Sequence, residues 1–181
     1  DTWNDIEPYV RLVDKNSIDA GGVPLSYFEV ITSLAYAAFA DTPVDVAIIE
    51  VGMGGTWDAT SVAAASVAVI TPIGMDHTEY LGDTIEQIAG EKAGIIAPGC
   101  TAVTSRQTDD ARSVVVTRAG ELDVSLKIEA EDFGLLSRDV AVGGQLVSKR
   151  GLRGDYDEVF VPFFGEHQAS NACLALAAVE A

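Results

Sequence analysis

The chain has 181 residues, 48% of them hydrophobic, with 28 acidic against 11 basic side chains and a formal net charge of −17. That length is one domain of ordinary size, able to bury a real core. The charge argues against nucleic acid as a partner, since phosphate contacts need a basic face, and no apolar run is long enough to cross a bilayer.

No basic-then-apolar leader is present, and Cys100 and Cys173 match no zinc or redox spacing. Both read as small core residues of a cytoplasmic protein. The chain opens on Asp1, not methionine, inside a helix-like pattern, so it is expected to be a fragment. Apolar Ile6, Val10 and Val13 predict a short helix over residues 2–13, then a polar loop from Lys15 to Pro24. Ser26 with Glu29 three positions on is a capping-box start for a helix reaching Phe39, closed by Asp41-Thr42-Pro43. Two apolar, β-rich runs follow, Val46–Val51 and Ser66–Ile73. Each is too short for a core helix and is bounded by glycine, which predicts two strands of a buried parallel sheet. Asp83-Thr84-Ile85-Glu86 then starts a helix expected to reach Ile96. Thr101–Thr104 predicts a strand, Asp109–Leu122 a helix and Val124–Ile128 a further strand, an alternation that marks an α/β domain. After Glu129 the runs 134–136, 140–142, 145–149 and 158–161, separated by turn residues, predict a small antiparallel meander stapled onto the sheet. Residues 166–181 read as a final helix.

Ligands of open α/β sheets sit outside the carboxyl ends of the strands. If the two apolar runs are neighbours, Glu50 and Asp58 after the first and Asp76 and His77 after the second mark one rim. Gly52-Met53-Gly54-Gly55 is no dinucleotide fingerprint, because Trp57 stands where a third glycine belongs. None of the lysines at 15, 92, 127 and 149 follows a glycine, so no phosphate-binding loop is present either. Lys92 lies on the apolar stripe of its helix, with Ile85, Ile88, Ala89, Ile95 and Ile96. Such a lysine pairs with a carboxylate, sheds its proton, is chemically modified, or snorkels off the edge of the stripe.

The segments GMGGTWDATS, TPIGMDHTEYLGDT and GEKAGII, with LSYFE before them and GEHQASN after, resemble in order and spacing the central domain of the Mur ligase superfamily, in its folylpolyglutamate synthase/dihydrofolate synthase branch. The resemblance implies a Mur-ligase-like central domain: a largely parallel sheet flanked by helices with a small antiparallel β subdomain. It implies that residues 1–181 are an incomplete ATP-binding domain, its phosphate loop expected before Asp1 and its glutamate-binding domain after Ala181, and that the fragment alone is inactive. The implied activity is ATP-dependent ligation of L-glutamate to a folate or dihydropteroate carboxylate through an acyl phosphate, in a monomeric full-length enzyme. Glu50 and His77 would hold Mg2+, and Lys92 would carry a carbamate that binds a second one. Ser26, Phe28, Asp58 and Ala59 would line the pterin pocket, and Gln168 and Asn171 would lie near the adenine of ATP. Thr56 and Ser61 depart from the arginine and asparagine usual in the family. The competing expectations are a peptidoglycan-precursor ligase of the same superfamily and a non-catalytic pterin-binding relative.

Overall fold

The structure is a computed structural model that describes residues 2–42 and 44–181. Asp1 and the Pro43 part of the helix-stop signal lie outside the described residues. The chain divides into two compact units, Asp1–Met53 with Asp58–Val62, and Gly54–Trp57 with Ala63–Ala181.

The first unit is built on α1 (Thr2–Asp19) and α2 (Tyr27–Asp41), which pack on each other. Helix α1 outruns its expected end because polar side chains at 14–17 do not stop a helix; the glycine pair after it does. Gly21 takes φ +83°, and the Gly22 N–H donates to the Ser17 carbonyl. The expected capping box is present: the Ser26 side chain accepts from Glu29 N–H, and the Glu29 carboxylate accepts from Ser26 N–H at 2.7 Å. The run 44–51 corrects the expected first strand. It forms no strand and pairs with none among the described residues, and Val46 and Ile48 stay 78% and 93% exposed. A strand exists only through a hydrogen-bonded neighbour, and local β propensity cannot supply one. A 3-10 turn, Ala59–Val62, completes the unit.

The second unit holds two sheets. Strands β1 (Val67–Ile70), β2 (Thr101–Thr104) and β3 (Ser125–Ile128) form a parallel sheet with β2 central. Its crossovers carry α3 (Thr78–Leu81), α4 (Ile85–Ala93) and α5 (Asp109–Glu121). Helix α4 stops at Ala93, short of the expected Ile96, and Thr84 caps it through the Gln87 N–H. Strands β4 (Gly134–Ala141), β5 (Gly144–Arg150) and β6 (Asp155–Val161) form a separate antiparallel sheet. It does not extend the parallel one, and the two runs read at 134–136 and 140–142 are one strand. Helix α6 (Glu166–Glu180) is shared by both sheets. Its Cys173, Leu174 and Ala177 pack with Val103 of β2 and Phe133, while Ala169 packs with Val147 and Val161. Its far end is tied down by the Glu180 carboxylate, which accepts from Leu152 N–H and the Tyr156 hydroxyl, each at 2.5 Å. No helix among the described residues is long and apolar enough to cross a membrane.

Candidate functional site

In the first unit the polar residues converge on Asp58. Its Oδ1 accepts from Thr60 N–H at 2.9 Å and Thr60 Oγ1 at 2.6 Å, and its Oδ2 accepts from Met53 N–H at 3.0 Å. Burial raises the carboxyl's affinity for its proton, but these hydrogen bonds outweigh it and hold the pKa below the ordinary value. The Tyr36 hydroxyl donates to the Thr60 carbonyl at 2.8 Å, and burial together with the Asp58 charge pushes that phenol's pKa up. Asp58 therefore ties Met53 to Thr60 before it does anything else. Phe28 lies over Gly52, where an added Cβ would sit 2.6 Å from the ring and 3.0 Å from Asp58 Oδ2. A cavity of about 260 Å³ opens beside α2, lined by Phe28, Ile31, Tyr36, Ile49, Glu50 and Thr60 among others. The structure thus brings Phe28 and Glu50 to one cavity and Phe28 and Asp58 to one glycine. Ser26 caps α2 outside that lining, and Ala59 is half-buried in the 3-10 turn.

In the second unit His77 follows β1 with φ +50°, a left-handed conformation uncommon for a residue with a Cβ. Its N–H donates to Asp76 Oδ1 at 2.8 Å, and its exposed ring places Nε2 3.5 Å from Asp76 Oδ2. Lys92 is half-buried in the last turn of α4, and among the described residues of this unit its ammonium has neither a hydrogen-bond acceptor nor an ion-pair partner. The loop Gly54–Trp57 is pressed onto that same turn. Thr56 N–H donates to the Glu91 carbonyl at 3.2 Å, and a Cβ on Gly55 would lie 2.5 Å from that oxygen and 3.0 Å from the Lys92 carbonyl. Gly54 supplies the positive φ, +73°, that the approach needs. The glycine motif and the lysine motif, 35 residues apart at Thr56 and Glu91, are therefore one structural joint. Sequence alone shows of these glycines only that they are no dinucleotide fingerprint.

Gln168 and Asn171 sit in the first two turns of α6, the former half-buried and the latter exposed. A second cavity, about 490 Å³, was missed from sequence: it lies past the carboxyl ends of β2 and β3 and is lined by Arg106, Glu129, Phe133, Glu166 and Ser170 among others, but not by Gln168 or Asn171. Glu129 accepts there from Arg106 N–H at 2.9 Å and from Ser170 Oγ at 2.5 Å. The signal that could have found it is the one applied to β1, a polar residue directly after a buried strand.

The Mur ligase middle domain family matches residues 19–179. A dihydrofolate synthase/folylpolyglutamate synthase of Mycobacterium tuberculosis is 51% identical over 99% of the chain and 39% of its own length. The protein of the same description from Bacillus subtilis is 34% identical over 98% and 40%. Among solved structures, the M. tuberculosis folylpolyglutamate synthase complexed with ADP and AMPPCP matches with a TM-score of 0.94 at 50% identity, over 99% of the chain and 41% of that protein. An FPGS–AMPPCP–folate complex matches with a TM-score of 0.88 at 33% identity, over 96% and 42%. The chain spans about two fifths of the length of these relatives.

Proposed function

Because the chain belongs to the Mur ligase middle-domain family, we propose that it is the central domain of an ATP-dependent ligase that joins L-glutamate to a folate or dihydropteroate carboxylate. The observation that carries this reading is the 51% identity across 99% of the chain to an enzyme of that description. In this reaction the carboxylate takes the γ-phosphoryl group of ATP, and the glutamate amine then displaces phosphate from the acyl phosphate, forming the amide. The working enzyme is a cytoplasmic monomer, and the buried free thiols of Cys100 and Cys173 support that compartment.

Within the first unit, the apolar wall of Phe28 and Ile31 and the loop held by Asp58 suit a flat, partly polar ring such as a pterin, and Ser26 and Ala59 are proposed to contact it from outside that lining. In the second, Gln168 and Asn171 offer amide groups for an adenine edge. Glu50 in the first unit and His77 in the second are each proposed as magnesium ligands, and a modified Lys92 as a ligand of a second magnesium. Glu50 and His77 are exposed to solvent, and a carboxylate and a carbamate are each oxygen ligands of the kind magnesium prefers. When bound, magnesium offsets the charge of the transferring phosphoryl group. Lys92 fits the modification because, among the described residues of its unit, no hydrogen bond or ion pair would have to be broken to convert its side chain. The ammonium first gives up one proton to become the amine; carbon dioxide adds to that amine, an N–C bond forms and a second proton leaves, so a cation becomes an anion.

The test is Lys92→Ala in a full-length ligase carrying this chain, with ATP-, folate- and glutamate-dependent ADP release as the readout. Turnover should fall by about a hundredfold or more, of the order seen when one electrostatic group is removed from a phosphoryl-transfer site. The thermal midpoint should stay close to wild type, and acetate should restore part of the rate. A variant that unfolds early yet turns over normally while folded would assign Lys92 to an ion pair instead.

A further inference from the structure

Gln145 is a fully polar side chain in a place that stability alone would fill with an apolar one. It lies on β5, 1% exposed, paired in register with Val161 and two positions from the fully buried Val147. Burying an amide costs free energy unless both of its ends are bonded. Here both are: Nε2 donates to the Gly165 carbonyl at 3.1 Å, and Oε1 accepts from Arg138 Nη1 at 3.3 Å. Gly165 is the N-cap of α6, and that helix start has no side-chain cap of its own. Its carbonyl also accepts the first helical N–H groups, from Gln168 at 3.2 Å and Ala169 at 3.4 Å. Gly165 takes φ +97°, and a Cβ there would lie 2.6 Å from the His167 ring. The entry to α6 is thus constrained by its glycine, and among the described residues Gln145 is the sheet side chain hydrogen-bonded to it.

We infer that Gln145 is a positioning residue for the nucleotide: it fixes the first turn of α6 so that Gln168 and Asn171 face the adenine. This rests on the nucleotide role proposed above for those two residues. The amide contributes orientation beyond packing, because an apolar residue of equal volume would fill the same space at no desolvation cost. Its effect should therefore be on nucleotide affinity, with the fold and the chemical step left alone.

The experiment is steady-state kinetics of a full-length ligase carrying this chain, as wild type, Gln145→Met and Asn171→Ala. Gln145→Met keeps the length and approximate volume and removes the donor. KM for ATP should rise about three- to tenfold, the worth of one lost hydrogen bond in binding. The kcat at saturating ATP and the KM for the folate substrate should stay within about twofold. Asn171→Ala should raise KM for ATP at least as much. If Asn171→Ala raises it and Gln145→Met does not, the positioning role is overturned while the nucleotide reading stands. If Asn171→Ala leaves it unchanged, the nucleotide reading is overturned and the inference falls with it. A Gln145→Met enzyme that loses kcat and every KM together would show a merely structural role, which also overturns the inference. Should Gln145→Met fail to fold, Arg138→Met, which strips the exposed partner from Oε1, replaces it, and an unchanged KM for ATP there counts against the inference in the same way.

Discussion

Replacing Gly55 by alanine tests whether the glycine motif and the lysine helix are one joint. The new Cβ would sit 2.5 Å from the Glu91 carbonyl oxygen and 3.0 Å from both Ile95 Cγ2 and the Lys92 carbonyl. The first contact is half an ångström inside the 3.0 Å that real Cβ atoms respect, and the obstacle is helix backbone, not a side chain that can swing away. The loop must retreat, which stretches the 3.2 Å hydrogen bond from Thr56 N–H to Glu91 toward breaking. Overpacking of this kind costs about 1–3 kcal/mol and the hydrogen bond about 1 more, so the expected loss is about 2–4 kcal/mol. For a chain of this size that is a fall of about 5–15 °C in thermal midpoint. Gly90, in the same helix with open space around it, is the control: Gly90→Ala should be neutral or stabilising by up to about 1 kcal/mol through helix propensity. Paired thermal or urea unfolding of the two variants decides the matter. A Gly55→Ala protein within about 0.5 kcal/mol of wild type would refute the close-approach argument. Equal losses in both variants would also refute it, by assigning the effect to the loss of glycine itself.

Asp58→Asn should destabilise by about 1–3 kcal/mol near neutral pH, since a charged acceptor of three hydrogen bonds becomes a neutral one. The folded-state pKa of Asp58 lies below its unfolded value, so the gap between wild type and variant should be full above about pH 4 and close as pH falls through the folded value; urea midpoints taken from pH 7 down to 3 that show a gap widening in acid would contradict the assignment. Cys173 is fully buried, and that burial pushes its thiol up to about 11, so a thiol reagent at pH 8 should label it only as fast as the protein unfolds, and labelling at the rate of an exposed cysteine would rule out the packing of α6 described here.

Much of this fold was legible because its signals are short-range. The Ser26–Glu29 capping box needs only four residues, and Thr101–Thr104 is bounded by its own turn residues, so both elements form where the sequence places them. The motifs carried the family with equal clarity, because their order and spacing survive whatever the tertiary packing does. Three things were decided only in three dimensions. The run 44–51 has strand composition but no hydrogen-bonded neighbour among the described residues, and pairing is a property of two segments, not one. The meander became a sheet of its own because α6, read only as a final helix, offers its apolar residues to both sheets at once. The glycines at 54 and 55 are explained by a carbonyl at position 91, and the buried amide at 145 by a carbonyl at 165. Each depends on which distant backbone atom arrives within a few ångströms, and that is settled by packing and not by local propensity.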